Sequence, residues 1–109
     1  MFENQNSQTK FNFSLPVGLL DTASTTHKSG IIRRATGADE LALTKNPPTW
    51  DNPSYGVLVI LSRTIVRLGD LSDITTELLE QLFLPDLNYL LKFYNAIALP
   101  EARLSLSGE

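Results

Sequence analysis

Cysteine is absent from this chain of 109 residues, which excludes disulfides and thiolate metal sites and is compatible with a reducing compartment. Histidine occurs once, at His27, too few for an imidazole-based zinc or iron site. Positive charge is also short. A net charge of −3 offers no basic face to displace counterions from phosphates, so nucleic acid is not an expected partner. Long apolar runs are missing: the longest, Val57–Leu61, falls far below the roughly 20 residues of a membrane span, so no membrane partner is expected. The N-terminal stretch MFENQNSQTK lacks the apolar segment of a secretion signal, and a cytoplasmic protein is expected. The glycines, at 18, 30, 37, 56, 69 and 108, fit neither a GxGxxG nor a Walker spacing, so no phosphate cradle and no cofactor are expected.

What is present is an ordinary globular composition, 42% apolar and 19% charged. The length suits one domain over 1–109, with 1–9 and 101–109 as polar tails. The richest apolar stretch is Asn52–Gly69, NPSYGVLVILSRTIVRLG. Asn52 suits an N-cap, Pro53 the first helical position and Gly69 the residue beyond the last turn, so the stretch is predicted as one helix over Asn52–Leu68. Leu58, Leu61, Ile65 and Leu68 would share a face, with the helix deeply buried early and amphipathic late.

Upstream, Phe11, Phe13 and Leu15 alternate with Asn12 and Ser14, the period of a half-buried strand over Lys10–Val17 that Pro16 and Gly18 end or distort. Leu19–Gly30 reads as a long turn and Ile31–Ala35 as a second strand, giving a β-hairpin. A lone hairpin is marginal in water and must pack on helices or join a partner's sheet. Thr36 precedes Asp39 by three residues, the spacing of a capping box, and starts a helix to Lys45 that Asn46-Pro47-Pro48 stops. A third helix is predicted over Thr75–Phe83, capped by Thr75, with Leu78, Leu79, Leu82 and Phe83 as its apolar stripe. A fourth runs from Pro85 to about Ala98 on Leu87, Leu90, Leu91, Tyr94 and Ile97. The fold class is α+β, an N-terminal β-hairpin on about four helices.

No constellation calls for catalysis. His27, in the polar turn, is expected to be exposed. The carboxylate pairs Asp39/Glu40 and Asp70/Asp73 lie at helix starts or loops, where capping accounts for them. Arg33-Arg34 is expected as solvated charge on a strand edge, which discourages stray pairing; a charged contact with a protein partner is the alternative. Arg63 and Arg67, one helical turn apart, would pair with Asp39, Glu40 or Asp86, or else meet a partner. Trp50 and Tyr55 flank the helix start as packing residues or aromatic anchors. Arg33, Arg34, Trp50, Tyr55, Arg63 and Arg67 are thus the candidate partner-binding residues.

The order FNFSLPVG, IIRRATGADEL, YGVLVILSRTIVRLGDLSDIT and LFLPDLNYLLKFYNAI resembles the small tail assembly proteins, or tail assembly chaperones, of contractile phages and phage-tail-like injection systems. The resemblance covers roughly Phe11 to Ile97. It rests on Arg34-Ala35-Thr36 with Asp39-Glu40, on Leu61-Ser62-Arg63 and Arg67-Leu68-Gly69, and on Asp86-Leu87 with Tyr89-Leu90. It implies a non-enzymatic helper that holds a tape-measure protein or a tube or sheath component during tail assembly, with a homo-oligomer compatible. A structural cap or adaptor of the same apparatus is the first alternative, and a small ligand-binding or regulatory domain the second.

Overall fold

The computed structural model describes residues 9–45 and 53–98. The Asn52 cap, the Asn46-Pro47-Pro48 stop, Trp50 and the expected tails (Thr9 excepted) lie outside the described residues. The elements run β1 (Lys10–Leu20), β2 (Thr26–Arg33), α1 (Gly37–Thr44), α2 (Pro53–Thr64), β3 (Ile65–Leu68), α3 (Thr76–Leu79) and α4 (Leu84–Ala98). The class is α+β, and the N-terminal hairpin is present. Its sheet holds one strand more than the sequence suggested: three antiparallel strands in the order β1-β2-β3.

The hairpin is longer than expected and its turn shorter. Asp21 closes the link by itself, with Oδ1 accepting the Ala23 and Thr25 N–H groups at 2.8 and 2.9 Å. This Asx-type turn lets β2 begin at Thr26, inside the stretch Leu19–Gly30 that composition marked as loop. Pro16 and Gly18 do not end β1 but distort it. The register passes from Ser14↔Ser29 to Leu19↔His27 across them.

The largest departure is at Thr64. The helix predicted to run to Leu68 stops there, and Ile65–Leu68 pairs with β2, Ile65 opposite Ile32 and Leu68 opposite Gly30. Two physical causes act together. Ile65 and Val66 are β-branched, and the Thr64 hydroxyl bonds back to Ile60 O at 2.9 Å, satisfying a carbonyl of the last turn. The far side of β2 also needs a partner, and pairing outweighs local helical periodicity. Gly69, at φ +59°, turns the chain out of β3 in a conformation that costs other residues about 1–2 kcal/mol. Burial in α2 is correspondingly reversed from the prediction. Ser54 is exposed, whereas Val59, Ile60, Leu61 and Thr64 are buried where the helix enters the sheet.

The remaining helices follow their caps. The Thr36–Asp39 capping box opens α1, and Thr75 caps α3 by accepting the Leu78 N–H at 3.1 Å. However, α3 is one turn only, and Phe83 stands outside it, 61% exposed, rather than completing an apolar stripe. The core joins Phe13, Leu15, Leu19 and Ile32 of the sheet to Ile60, Leu61, Leu79, Leu90 and Ile97 of the helices. Each such side chain contributes about 1.5–3 kcal/mol on leaving water. Phe93 of α4 meets Phe13 of β1 edge-on at 6.4 Å, fixing α4 across the sheet.

Candidate functional site

Two of the charged residues singled out in the sequence, Arg33 and Arg63, converge on Asp39. Its carboxylate is 1% exposed at the start of α1. Arg33, last residue of β2, grips it with both prongs: Nη1 to Oδ2 at 2.8 Å and Nη2 to Oδ1 at 3.0 Å. Arg63, in the last turn of α2, adds Nε to Oδ1 at 2.9 Å. The Thr36 N–H donates to Oδ2 at 2.7 Å, completing Asp39's half of the capping box. Hydrogen bonds from the Arg33 guanidinium hold the Asp39 carboxyl far below the ordinary carboxylate range, against the opposing effect of burial. The same bonds raise the Arg33 guanidinium above its ordinary value.

This geometry corrects two expectations. Arg33 and Arg34 are not solvated edge charges, because β2 is the central strand and both side chains are engaged within the fold. Arg34 donates from Nε to Ile97 O at 2.7 Å, and its guanidinium carbon lies 5.1 Å from the Phe11 ring centroid. It thereby caps a carbonyl in the last turn of α4, where a cation also suits the dipole. Arg63 and Arg67 do not share a helix face either. Arg63 forms the predicted intramolecular pair with Asp39, whereas Arg67 belongs to β3, is exposed, and donates to Gly69 O at 2.7 Å. Tyr55 is half-buried on α2.

His27 is also corrected: it is 5% exposed within β2, not in an open loop. Its Nε2 lies 2.7 Å from Asp21 Oδ2, and its Nδ1 accepts the Asp70 N–H at 3.4 Å. Hydrogen bonding to His27 lowers the Asp21 carboxyl below its ordinary value. With both ring nitrogens engaged, the imidazole braces the hairpin turn against the link after β3. Among the described residues, no group of three or more His, Asp or Glu side chains gathers where a metal could sit, and no helix is long and apolar enough to cross a membrane.

Asp86 fills another structural role that the sequence only hinted at. Fully buried in the first turn of α4, it accepts the Val17 and Gly18 N–H groups at 2.8 Å each. These are the donors left without strand partners where β1 distorts. Gly18, at φ +103°, makes that bend with little strain.

Among the described residues, α2 and α4 border a shallow apolar furrow. Two hollows lie along it, of about 340 and about 270 Å³. Among the described residues, the first is lined by Glu40, Leu43, Gly56, Ile60 and Tyr94, the second by Ser54, Leu58, Leu84, Leu87 and Asn88, and Val57 and Leu91 border both. Leu84 at one end is 70% exposed, beside the equally outward Phe83. At the other end, burial raises the Tyr94 hydroxyl above its ordinary value, with Glu40 and Asp39 adding to the rise. Of the apolar stripe expected on α4, Leu87 packs against the core as well as bordering the second hollow.

Compared with protein-family models, with curated proteins and with solved structures, the chain gives no significant match.

Proposed function

We propose that the protein is a non-enzymatic, protein-binding assembly factor that holds a helical client, of the tape-measure or tube-component kind, while a phage-like tail is built. The observation that carries this reading is the apolar furrow between α2 and α4, flanked by Leu84 at 70% exposure. A protruding leucine beside an apolar trough is a feature of surfaces that receive protein partners. The ionisable groups support the same reading. Asp39, Asp86, His27 and Asp21 are each engaged in bonds that join one structural element to another. The resemblance described above supplies the client class. Such a factor works in the cytoplasm, where the client is synthesised.

Co-expression with a tape-measure protein followed by affinity capture tests the proposal. The client is expected to be soluble and bound with this chain and insoluble without it. Equal solubility in both cases, with no capture, overturns the proposal. A cap or adaptor would use the same furrow as a permanent interface. It differs in remaining with purified mature particles, whereas an assembly factor leaves them.

A further inference from the structure

We infer that His27 is an acid-sensitive latch: a proton gained at Nδ1 turns the Gly69–Asp70 peptide away from the ring and frees Arg67 from Gly69 O, while Asp21 keeps hold of the imidazole. The ring is 5% exposed and uses one nitrogen as donor and the other as acceptor. Its Nε2 lies 2.7 Å from Asp21 Oδ2, and an ionised carboxylate only accepts, so Nε2 carries the hydrogen. Nδ1 is then the bare nitrogen, which suits the Asp70 N–H donating to it at 3.4 Å. One tautomer of the neutral ring meets both contacts. The imidazolium donates from both nitrogens, and at Nδ1 it sets one donor against another.

The surroundings decide which contact gives way. The charged groups about the ring are Asp21 in the hairpin turn, Asp70 in the link after β3, Lys28 in β2 and Arg67 of β3, whose Nη1 donates to Gly69 O at 2.7 Å. From β1 comes the apolar Leu19, paired with His27. Asp21 is held in its ionised form by the bond to His27, and that bond strengthens when the ring becomes a cation. Asp70 meets the ring through a donor, and Gly69 packs so closely there that an added Cβ would strike Nδ1. The Asp70 side of the ring is therefore the side that yields.

The motion is confined by its neighbours. The Gly69 N–H donates to Ser29 O at 2.6 Å, and Leu68 and Leu71 exchange hydrogen bonds at 2.9 and 2.8 Å. Between these fixed points lies the peptide that joins Gly69 O to Asp70 N. Rotating it breaks the Nδ1 contact and the Arg67 contact together. A hollow of about 320 Å³, bordered by Thr25, His27, Ser29, Gly69 and Asp70, gives it room to turn.

A single histidine makes the test direct in the full chain. Long-range ¹H–¹⁵N spectra report the tautomer and protonation of His27, and amide spectra of the same sample report Asp70, both followed from pH 8 to pH 5. The expected result is an Nε2–H ring at the alkaline end, with Gly69 and Asp70 amides that move at the ring's own midpoint. Exchange protection of the Asp70 amide, corrected for the intrinsic effect of pH, should fall roughly fivefold across it. Ala23 and Thr25, held by Asp21, should keep theirs. His27→Gln can donate to Asp21 but offers no acceptor in place of Nδ1, so its Asp70 amide should be unprotected throughout. If that variant fails to fold, the wild-type titration decides alone. The opposite tautomer, a ring that takes up no proton by pH 5, an Asp70 amide indifferent to the ring, or loss at Ala23 and Thr25 instead overturns the inference. An Asp70 response as large in His27→Gln as in the wild type also overturns it, because the Asp70 carboxyl is then the cause.

Discussion

Arg33 donates from Nη2 to the main-chain oxygen of Arg63 at 2.7 Å, so two like-charged residues from different elements are held side by side around one carboxylate, that of Asp39. The end of β2, the start of α1 and the end of α2 are thereby joined at a single buried point.

Replacing Asp39 leaves two guanidiniums facing each other with nothing between them. Loss of one member of a buried pair costs about 3–5 kcal/mol, but the arginines are 30% and 41% exposed, and water will screen part of that loss. Asp39→Ala is expected to lose about 2–4 kcal/mol in urea unfolding at neutral pH. Arg63→Ala should cost less, because Arg33 retains its two-pronged grip.

The Asp39 carboxyl is depressed by Arg33, so the folded state binds its proton more weakly than the unfolded chain. Its contribution is therefore complete above the ordinary aspartate value, near 3.9, and is lost as pH falls below it. Urea midpoints measured from pH 6 to pH 2 should drop in the wild type. Asp39→Asn starts lower and should show a shallower fall over the same range.

Asp86→Ala removes the acceptor of two N–H groups. A buried donor left unpaired costs about 1–3 kcal/mol; the Gly18 N–H is buried and the Val17 N–H partly so, and a loss of about 2–4 kcal/mol is expected. That corresponds to a fall in Tm of roughly 8–30 °C for a domain of this size. Asp86→Asn, which keeps one carbonyl acceptor, should fall between. Hydrogen exchange at Val17 and Gly18 should rise ahead of global unfolding in both variants.

Gly69 and His27 should be coupled. A Cβ at Gly69 would run into the His27 imidazole, and the positive φ adds strain of its own. Gly69→Ala is expected to cost more than 2 kcal/mol. In a double-mutant cycle with His27→Ala the combined loss should be smaller than the sum, because the small side chain removes the clash but not the strain.

Phe83→Ser and Leu84→Ser change residues that are 61% and 70% exposed. Thermal stability should move by less than about 0.5 kcal/mol, the usual range for surface positions. Client capture should fall sharply for Leu84→Ser. Unchanged capture would count against the furrow as the partner surface.

The parts of the fold legible in the sequence are those whose signals are local. Thr36 and Asp39 mark α1 within four residues, and the stripe from Leu87 to Ile97 marks α4 by periodicity alone. The alternation of Phe11, Phe13 and Leu15 likewise finds β1. The end of α2 was not legible. Leu58, Leu61, Ile65 and Leu68 keep helical spacing across a helix–strand boundary, and only the unmet pairing of β2 breaks it. His27 was misplaced for a similar reason: Asp21 shortens the turn through bonds that small polar composition does not reveal. Of the candidate residues, Arg63 found its expected intramolecular partner. Which leucines line the furrow was not legible, because they obey the same periodicity as core leucines.

The guard on the β1 edge comes from far along the chain. Asp86 lies 68 residues from Gly18 and 69 from Val17, and Tyr89 lies 75 from Ser14. During synthesis the hairpin can close soon after β2 emerges, whereas its outer N–H groups stay bare until α4 leaves the ribosome. A nascent chain halted before Asp86 therefore displays a stretch of strand edge that α4 covers once it is made, so a product ending before Asp86 should aggregate more readily than the 109-residue chain.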